Sequence, residues 1–112
     1  MGISKAERLL KRFEFVSLSR KGKSVSDQYF IAAYRSNNLD QSRLGITITR
    51  KVGNAVVRNR LKRIVREFYR HNKTDITGNF DINIIAKKSA AGVSSKRAHA
   101  SLKALVNRIG GN

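Results

Sequence analysis

The sequence predicts a small, two-layer α+β domain spanning residues 1–112, with elements in the order α-β-β-α-β-α. Three observations predict it. Two-residue alternation runs through Gln28–Arg35, Leu44–Thr49 and Phe80–Ala86, as in strands with a buried face. Two longer stretches, from Asn54 to His71 and from Ser94 to Ile109, repeat apolar residues at helical spacing. No linker, repeat or low-complexity tract divides the chain, and 112 residues suit one domain.

Each element has a local reason. Ser4-Lys5-Ala6-Glu7 has the Ser-x-x-Glu form of a capping box and predicts a short helix through Leu9 and Leu10. A second helical run is expected from Glu14 to Ser19, ending before Gly22. In Gln28–Arg35, Tyr29, Ile31 and Ala33 alternate with Phe30, Ala32 and Tyr34, which predicts a strand with aromatic and apolar residues on both faces. Ser36-Asn37-Asn38 predicts a turn. Leu44, Ile46 and Ile48 then alternate with Gly45, Thr47 and Thr49, a strand with one buried face. Gly53 breaks it, and Asn54 is a good cap for a helix reaching about His71. After a loop rich in Asn, Thr and Gly, Phe80, Ile82, Ile84 and Ala86 share one side of a third strand. Ser94 or Ser95 caps the last helix, whose stripe is Ala98, Leu102, Leu105 and Ile109, and Gly110-Gly111 ends it. The second strand, the long helix and the third strand suit a crossover joining parallel strands.

Charge is the outlying property. Twenty-four Lys and Arg stand against seven Asp and Glu, a net charge of +17 with a pI near 11.4. A compact domain with that charge repels itself, which points to a polyanionic partner, either nucleic acid or an anionic membrane surface. Cysteine is absent, which excludes disulfides, thiolate metal sites and cysteine nucleophiles. No stretch approaches the roughly 20 apolar residues of a membrane span, and the N-terminus lacks the apolar run of a signal peptide. The expected compartment is the cytoplasm.

The charge concentrates between Arg50 and Arg70, where eight Lys or Arg accompany one acid, Glu67. At about 100° per residue, Val57, Leu61, Ile64 and Phe68 fall in a narrow arc facing the sheet. Arg58, Lys62, Arg66 and Arg70, four residues apart, form an exposed row with Asn59 and Arg63 beside it. Arg60 lies toward the opposite flank. Like charges at this spacing destabilise a helix, and merely solvated faces mix signs. The row is therefore expected to bind. Arg outnumbers Lys five to one along the helix, which favours bidentate phosphate contacts and stacking on bases. Arg50 and Lys51 precede a helix N-terminus, where free N–H groups already attract an anion, and so predict a phosphate-gripping corner.

The run Lys51-Val52-Gly53-Asn54-Ala55-Val56-Val57-Arg58-Asn59-Arg60-Leu61-Lys62-Arg63 closely resembles the signature of the bacterial ribonuclease P protein subunit. Arg8-Leu9, Phe15 and Gly22 resemble that family's N-terminal segment, and the strand and helix order matches across nearly the whole chain. The resemblance implies a fold like domain 2 of ribosomal protein S5, with a left-handed β-α-β crossover around the basic helix, against the usual right-handed rule. It implies a ribonucleoprotein that removes the 5′ leader from precursor tRNA. Catalysis would lie in its RNA, with Mg²⁺ bound mainly by that RNA and the substrate and no organic cofactor. Its partners would be the catalytic RNA and precursor tRNA, with no membrane and no required protein partner. Carried over residue by residue, the RNA contacts are Arg58, Asn59, Arg60, Lys62, Arg63 and Arg66, with Lys51 and Asn54 at the entry corner. Phe15 matches the aromatic of the family's leader-binding cleft. Phe13, Phe30 and Tyr34 are further aromatic candidates there, each equally readable as core. The chain departs from the family at Leu18-Ser19, where many relatives carry another aromatic. At the family's strand aromatic it presents Ala33, unless Tyr34 takes over.

No catalytic or metal-binding residues are expected in the protein itself. Seven acids and two histidines show no spacing for a catalytic constellation. His71 reads as a helix C-terminal cap, His99 as structural, and Asp75 and Asp81 as isolated surface acids. Two other classes remain open on composition: a ribosomal or other structural RNA-binding protein, and a cationic DNA- or membrane-binding domain.

Overall fold

Hydrogen bonding across strands assembles a four-stranded mixed sheet in the computed structural model, which describes residues 5–9, 11–76 and 78–109. Its strands are β1 (Lys23–Ser26), β2 (Phe30–Ser36), β3 (Arg43–Thr47) and β4 (Phe80–Ala86), in the order β1-β2-β4-β3. β1 and β4 run antiparallel to β2, while β3 is parallel to β4. The helices are α1 (Arg12–Lys21), α2 (Ala55–Asn72) and α3 (Ser95–Val106), and α2 makes the connection between the two parallel strands.

Side-chain alternation divides the sheet into two unlike faces. Phe30, Ala32, Tyr34, Leu44, Ile82, Ile84 and Ala86 face α2 and α3, where they meet Leu61, Ile64, Val65, Phe68, Tyr69, Ala98, Leu102 and Leu105 in the main core. The predicted stripe of α2 is thus the buried one, joined by Val65 and Tyr69, with Val57 only half-buried at its start. Burial of Tyr69 pushes its phenol up to about 12. Asn54 caps α2, its Oδ1 accepting from Val57 N–H at 3.0 Å, and Ser94 caps α3 through Arg97 N–H at 3.1 Å. α1 crosses the other face, resting on a small cluster of Leu9, Leu18, Ala33 and Phe15.

The structure departs from these expectations at four places. The capping-box helix does not form through Leu9: Lys5–Glu7 is one 3-10 turn, Arg8 bridges to Leu44, and Leu9 N–H donates to Leu44 O at 2.9 Å. Glu7 holds Lys73 Nζ at 2.6 Å, while Ser4 and Leu10 lie outside the described residues. β1 was not predicted, because Lys-Ser-Val-Ser has one apolar residue and its order comes from the ladder to β2. The strand expected from Gln28 begins at Phe30, because Asp27 accepts the N–H groups of Tyr29 and Phe30 at 2.9 Å and turns the chain there. The second helix is two residues longer at each end than Glu14–Ser19.

Truncation should separate the two sides of α2. Phe68→Ala is expected to cost about 3–5 kcal/mol, because the ring is a core residue of a well-packed cluster. Val56→Ala, at a residue 76% exposed, should change stability by less than about 0.5 kcal/mol. Urea unfolding of both variants provides the check; equal losses would contradict the two-sided assignment.

Candidate nucleic-acid interface

The basic row emerges on the exposed side of α2 because the opposite side is fixed in the core. Asn59, Arg63, Arg66 and Arg70 are exposed, and Arg58 and Lys62 are half-buried. Among the described residues the ion pairs are Arg43–Glu14, Arg43–Asp81 and Lys73–Glu7, so no cation of α2 is neutralised by one. Arg58 Nε is buried without a hydrogen-bond partner. Arg60 departs from the row: its Nη2 donates to Val93 O at 2.6 Å, tying α2 to the loop before α3. Part of that guanidinium is therefore occupied by the fold. At the entry corner Arg50 and Lys51 are exposed in the turn closed by Val52 N–H to Thr49 O, 3.1 Å. Asn54 Oδ1 is engaged as the cap. Gly53 allows this corner to close, since a Cβ there would lie 2.8 Å from Val57 Cγ1.

A groove runs beside the row on the other face of the sheet. Its floor is set by register: Ser26, Ile31, Ile85 and Thr47 align across the strands, as do Ser24, Ala33, Asn83 and Gly45. α1 covers the second line and leaves the first partly open, with Ile31, Ile85 and Thr47 half-buried. Thr47 Oγ1 donates to the buried Asn83 Oδ1 at 3.1 Å. Phe15 leans from α1 onto Gly45, where a Cβ would stand 2.5 Å from the ring's Cε1. Gly45 is thus the residue that lets this ring reach the sheet. Beside it opens a pocket of about 240 Å³, walled by Leu9, Phe15 and Gly45 and edged by Arg8, Lys62 and Arg66. The basic row and the aromatic wall share that pocket.

Two of the four aromatic candidates are removed from the groove. Phe30 is fully buried and Tyr34 is 8% exposed, both on the α2/α3 side. Tyr34 does not substitute for an aromatic at Ala33, because adjacent residues of a strand point to opposite faces. Phe13 is 67% exposed, with Lys11 Nζ 5.9 Å from its ring centroid, and lines a different pocket with Ser17 and Arg35. Phe15 alone of the four lies in the groove. Arg8 was singled out by sequence only through its family resemblance. Thr47 falls, as its alternation implies, on the side away from the main core; Asn83 marks the same face in β4, a polar residue inside an apolar strand.

α1 is held over the sheet by a polar clamp. Arg43 donates to Glu14 Oε2 at 2.7 Å and to both oxygens of Asp81, at 2.9 and 2.8 Å. Asn37 Nδ2 donates to the same Asp81 Oδ1 at 2.9 Å, and Glu14 Oε1 accepts from Lys11 N–H at 3.0 Å. Burial alone would raise the Asp81 carboxyl, but the Arg43 and Asn37 hydrogen bonds hold it below its ordinary value. Its bond to Asp81 raises the Arg43 guanidinium in turn. This corrects the reading of Asp81 as an isolated surface acid; Asp75 is exposed as expected. His71 is exposed in the last turn of α2, and His99 is half-buried with its ring edge-on to Phe68 at 6.1 Å.

Residues 3–110 match the family described as Ribonuclease P. The chain belongs to the ribonuclease P protein family. It is 50% identical over 105 residues to the ribonuclease P protein component of Desulforapulum autotrophicum, covering 94% of this chain and 90% of that one. The solved ribonuclease P protein of Thermotoga maritima superposes with a TM-score of 0.86 at 41% identity, over 94% of this chain and 99% of that one. That of Staphylococcus aureus gives 0.85 at 35% identity, over 91% and 94%. The mixed sheet and three helices described above are the fold of the ribonuclease P proteins.

The clamp has a pH signature. A carboxyl whose folded pKa lies below its unfolded value stabilises the fold above the unfolded value and loses that contribution as pH falls through the folded one. For Asp81 the loss is expected below about pH 3.8, its ordinary value. Asp81→Asn should therefore be less stable than the native chain at pH 6, and the gap should close toward pH 2. Urea midpoints across that range decide it, and a gap independent of pH would rule out the ionic clamp. Arg43→Ala should cost about 2 kcal/mol at neutral pH, between the roughly 0–1 of exposed pairs and 3–5 of fully buried ones.

Proposed function

We propose that this chain is the protein subunit of ribonuclease P, acting in the cytoplasm. It binds the catalytic RNA through α2 and the 5′ leader of precursor tRNA in the groove, and so assists removal of the leader. The observation that carries this reading is the shared pocket, where Lys62 and Arg66 of the basic row meet Phe15 of the groove wall. A leader strand lying against that aromatic ring is thereby brought beside the catalytic RNA held on α2, with Lys62 and Arg66 placed to take phosphates of either. Cations that track a backbone and aromatics that take bases are the two parts of a single-strand site.

The cleavage chemistry is assigned to the RNA. Among the described residues no three of His, Cys, Asp and Glu stand together as metal ligands. Glu7, Glu14 and Asp81 are instead ion-paired with Lys73 or Arg43. Mg²⁺ belongs on this reading mainly to the RNA subunit and the substrate. The protein's part is to raise substrate affinity by holding two RNAs at once.

Reconstitution tests the proposal. Added to a bacterial ribonuclease P RNA at low Mg²⁺, the protein should increase precursor-tRNA cleavage; no gain would leave only a structural RNA-binding role. Replacing Arg58, Lys62 and Arg66 together with Ala should weaken binding to the RNA subunit. It should also flatten the salt dependence by up to about 2–3 units of slope, at roughly 0.7–0.9 per phosphate contact. An unchanged slope would mean the row is only solvated surface. Gly45→Ala should act differently, since the new Cβ pushes Phe15 off the sheet. Its expected effect is a selective loss of affinity for precursors with a leader over leaderless ones, with binding to the RNA subunit retained.

A further inference from the structure

A second pocket lies at the other end of β2 and β4, where α1 turns into β1. Its volume is about 330 Å³, within the range of ~300–1,000 Å³ usual for ligand pockets. Tyr34 and Phe80 form its apolar wall, their rings edge-to-face with centroids 5.9 Å apart. Lys21 and Lys23 stand beside them, Arg35 lines the pocket with its side chain turned to Ser17 of α1, and no acid lines the pocket. All three cations are exposed. None enters an ion pair among the described residues, and Arg35 has one long hydrogen bond, to Ser17 Oγ at 3.3 Å. Lys23 stands directly opposite Tyr34 in the ladder, so the charge is held beside the aromatic pair by backbone register.

We propose that this pocket takes one unpaired ribonucleotide, its base against Phe80 and Tyr34 and its phosphates on Lys21 and Lys23. The inference rests on the RNA-binding reading above and adds a contact separate from both α2 and the groove. Every base offers an apolar π-face, and its flanking phosphates require cations at the rim of the wall that receives it. A lysine on edge strand β1 also deters pairing with another chain. That role needs no aromatic wall, and Lys21 and Lys23 gathered without an ion-pair partner among the described residues cost stability. The nucleotide can belong to the leader or to the catalytic RNA, since both present the same chemistry.

The experiment uses the full chain and single-stranded pentaadenylate, followed by amide NMR. The native protein should show shifts at Gly22, Lys23 and Arg35, in addition to those at Ile31, Thr47 and Ile85 in the groove. Combining Lys21→Gln and Lys23→Gln, both at exposed positions, should abolish the first set and leave the second. Phe80→Leu, which keeps every cation, should weaken binding at the pocket about fivefold or more. Shifts confined to the groove would overturn the pocket and leave the RNA-binding reading standing; no shifts anywhere, with a failed reconstitution, would remove both. The source of the nucleotide follows from Ser36→Cys, a unique thiol in a chain without cysteine, carrying a photo-crosslinker. Crosslinks in the assembled holoenzyme to the leader or to the RNA subunit identify which strand enters, and crosslinks to neither would overturn the proposal.

Discussion

Arg43 fixes the position of α1, and the groove depends on that helix. α1 buries little: Leu18 is its one buried residue, and Phe15 is half-buried against Gly45 and Leu9. So small an apolar contact leaves the helix free to slide or rotate. The guanidinium of Arg43 removes that freedom by holding Glu14 of α1 and Asp81 of β4 together, with Asn37 on the same carboxylate. Partly buried ion pairs contribute modest net stability but specify geometry, because an unpaired charge in the same place is costly. Here the specified geometry is the angle at which Phe15 meets the sheet.

The same economy explains how a chain of net charge +17 keeps a strongly basic binding surface. Glu14 and Asp81 are engaged by Arg43, and Glu7 by Lys73. Asp27 ends one strand by accepting the N–H groups of Tyr29 and Phe30, and also accepts from Ser101 of α3. These four of the seven acids serve the fold, and none of them lies on α2. Among the described residues no cation of α2 enters an ion pair, although Glu67 lies among them; on the proposed function the remaining self-repulsion is relieved by RNA. A polyanion that binds only the folded chain stabilises it by mass action.

What was legible in the sequence was whatever a long periodic pattern determines. α2, with its Asn54 cap, its buried stripe and its basic row, follows from helical spacing, and β4 follows from alternation over seven residues. β1 was not legible, since a short polar edge strand owes its order to its neighbour's backbone. Phe30 and Tyr34 stood as candidates for two environments because both faces of their strand are apolar, and only tertiary packing shows which face carries the helices. The role of Asp81 was hidden for a related reason. Its partners Arg43 and Asn37 lie 38 and 44 residues away in sequence, beyond the reach of any local pattern. Arg60 shows the limit of the helical wheel: it was placed on the other flank, but its bond to Val93 O depends on where α3 begins.

The register of α2 also makes its two sides inseparable. Rotating the helix by one residue, about 100°, would bring charged side chains into the core and expose Leu61, Ile64 or Phe68. The core therefore fixes the direction of the row, just as Asn54 fixes where the row begins. On the proposed function, a surface built this way needs no ordering when RNA arrives, beyond the long side chains themselves, so little of the interaction energy is lost to conformational entropy. Phe15 obtains the same rigidity by another route, through Gly45 beneath it and Arg43 beside its helix. Two independent devices, one apolar and one ionic, thus bring Lys62, Arg66 and Phe15 to a single pocket. That convergence, rather than the charge excess alone, is what distinguishes this surface from a generally cationic one.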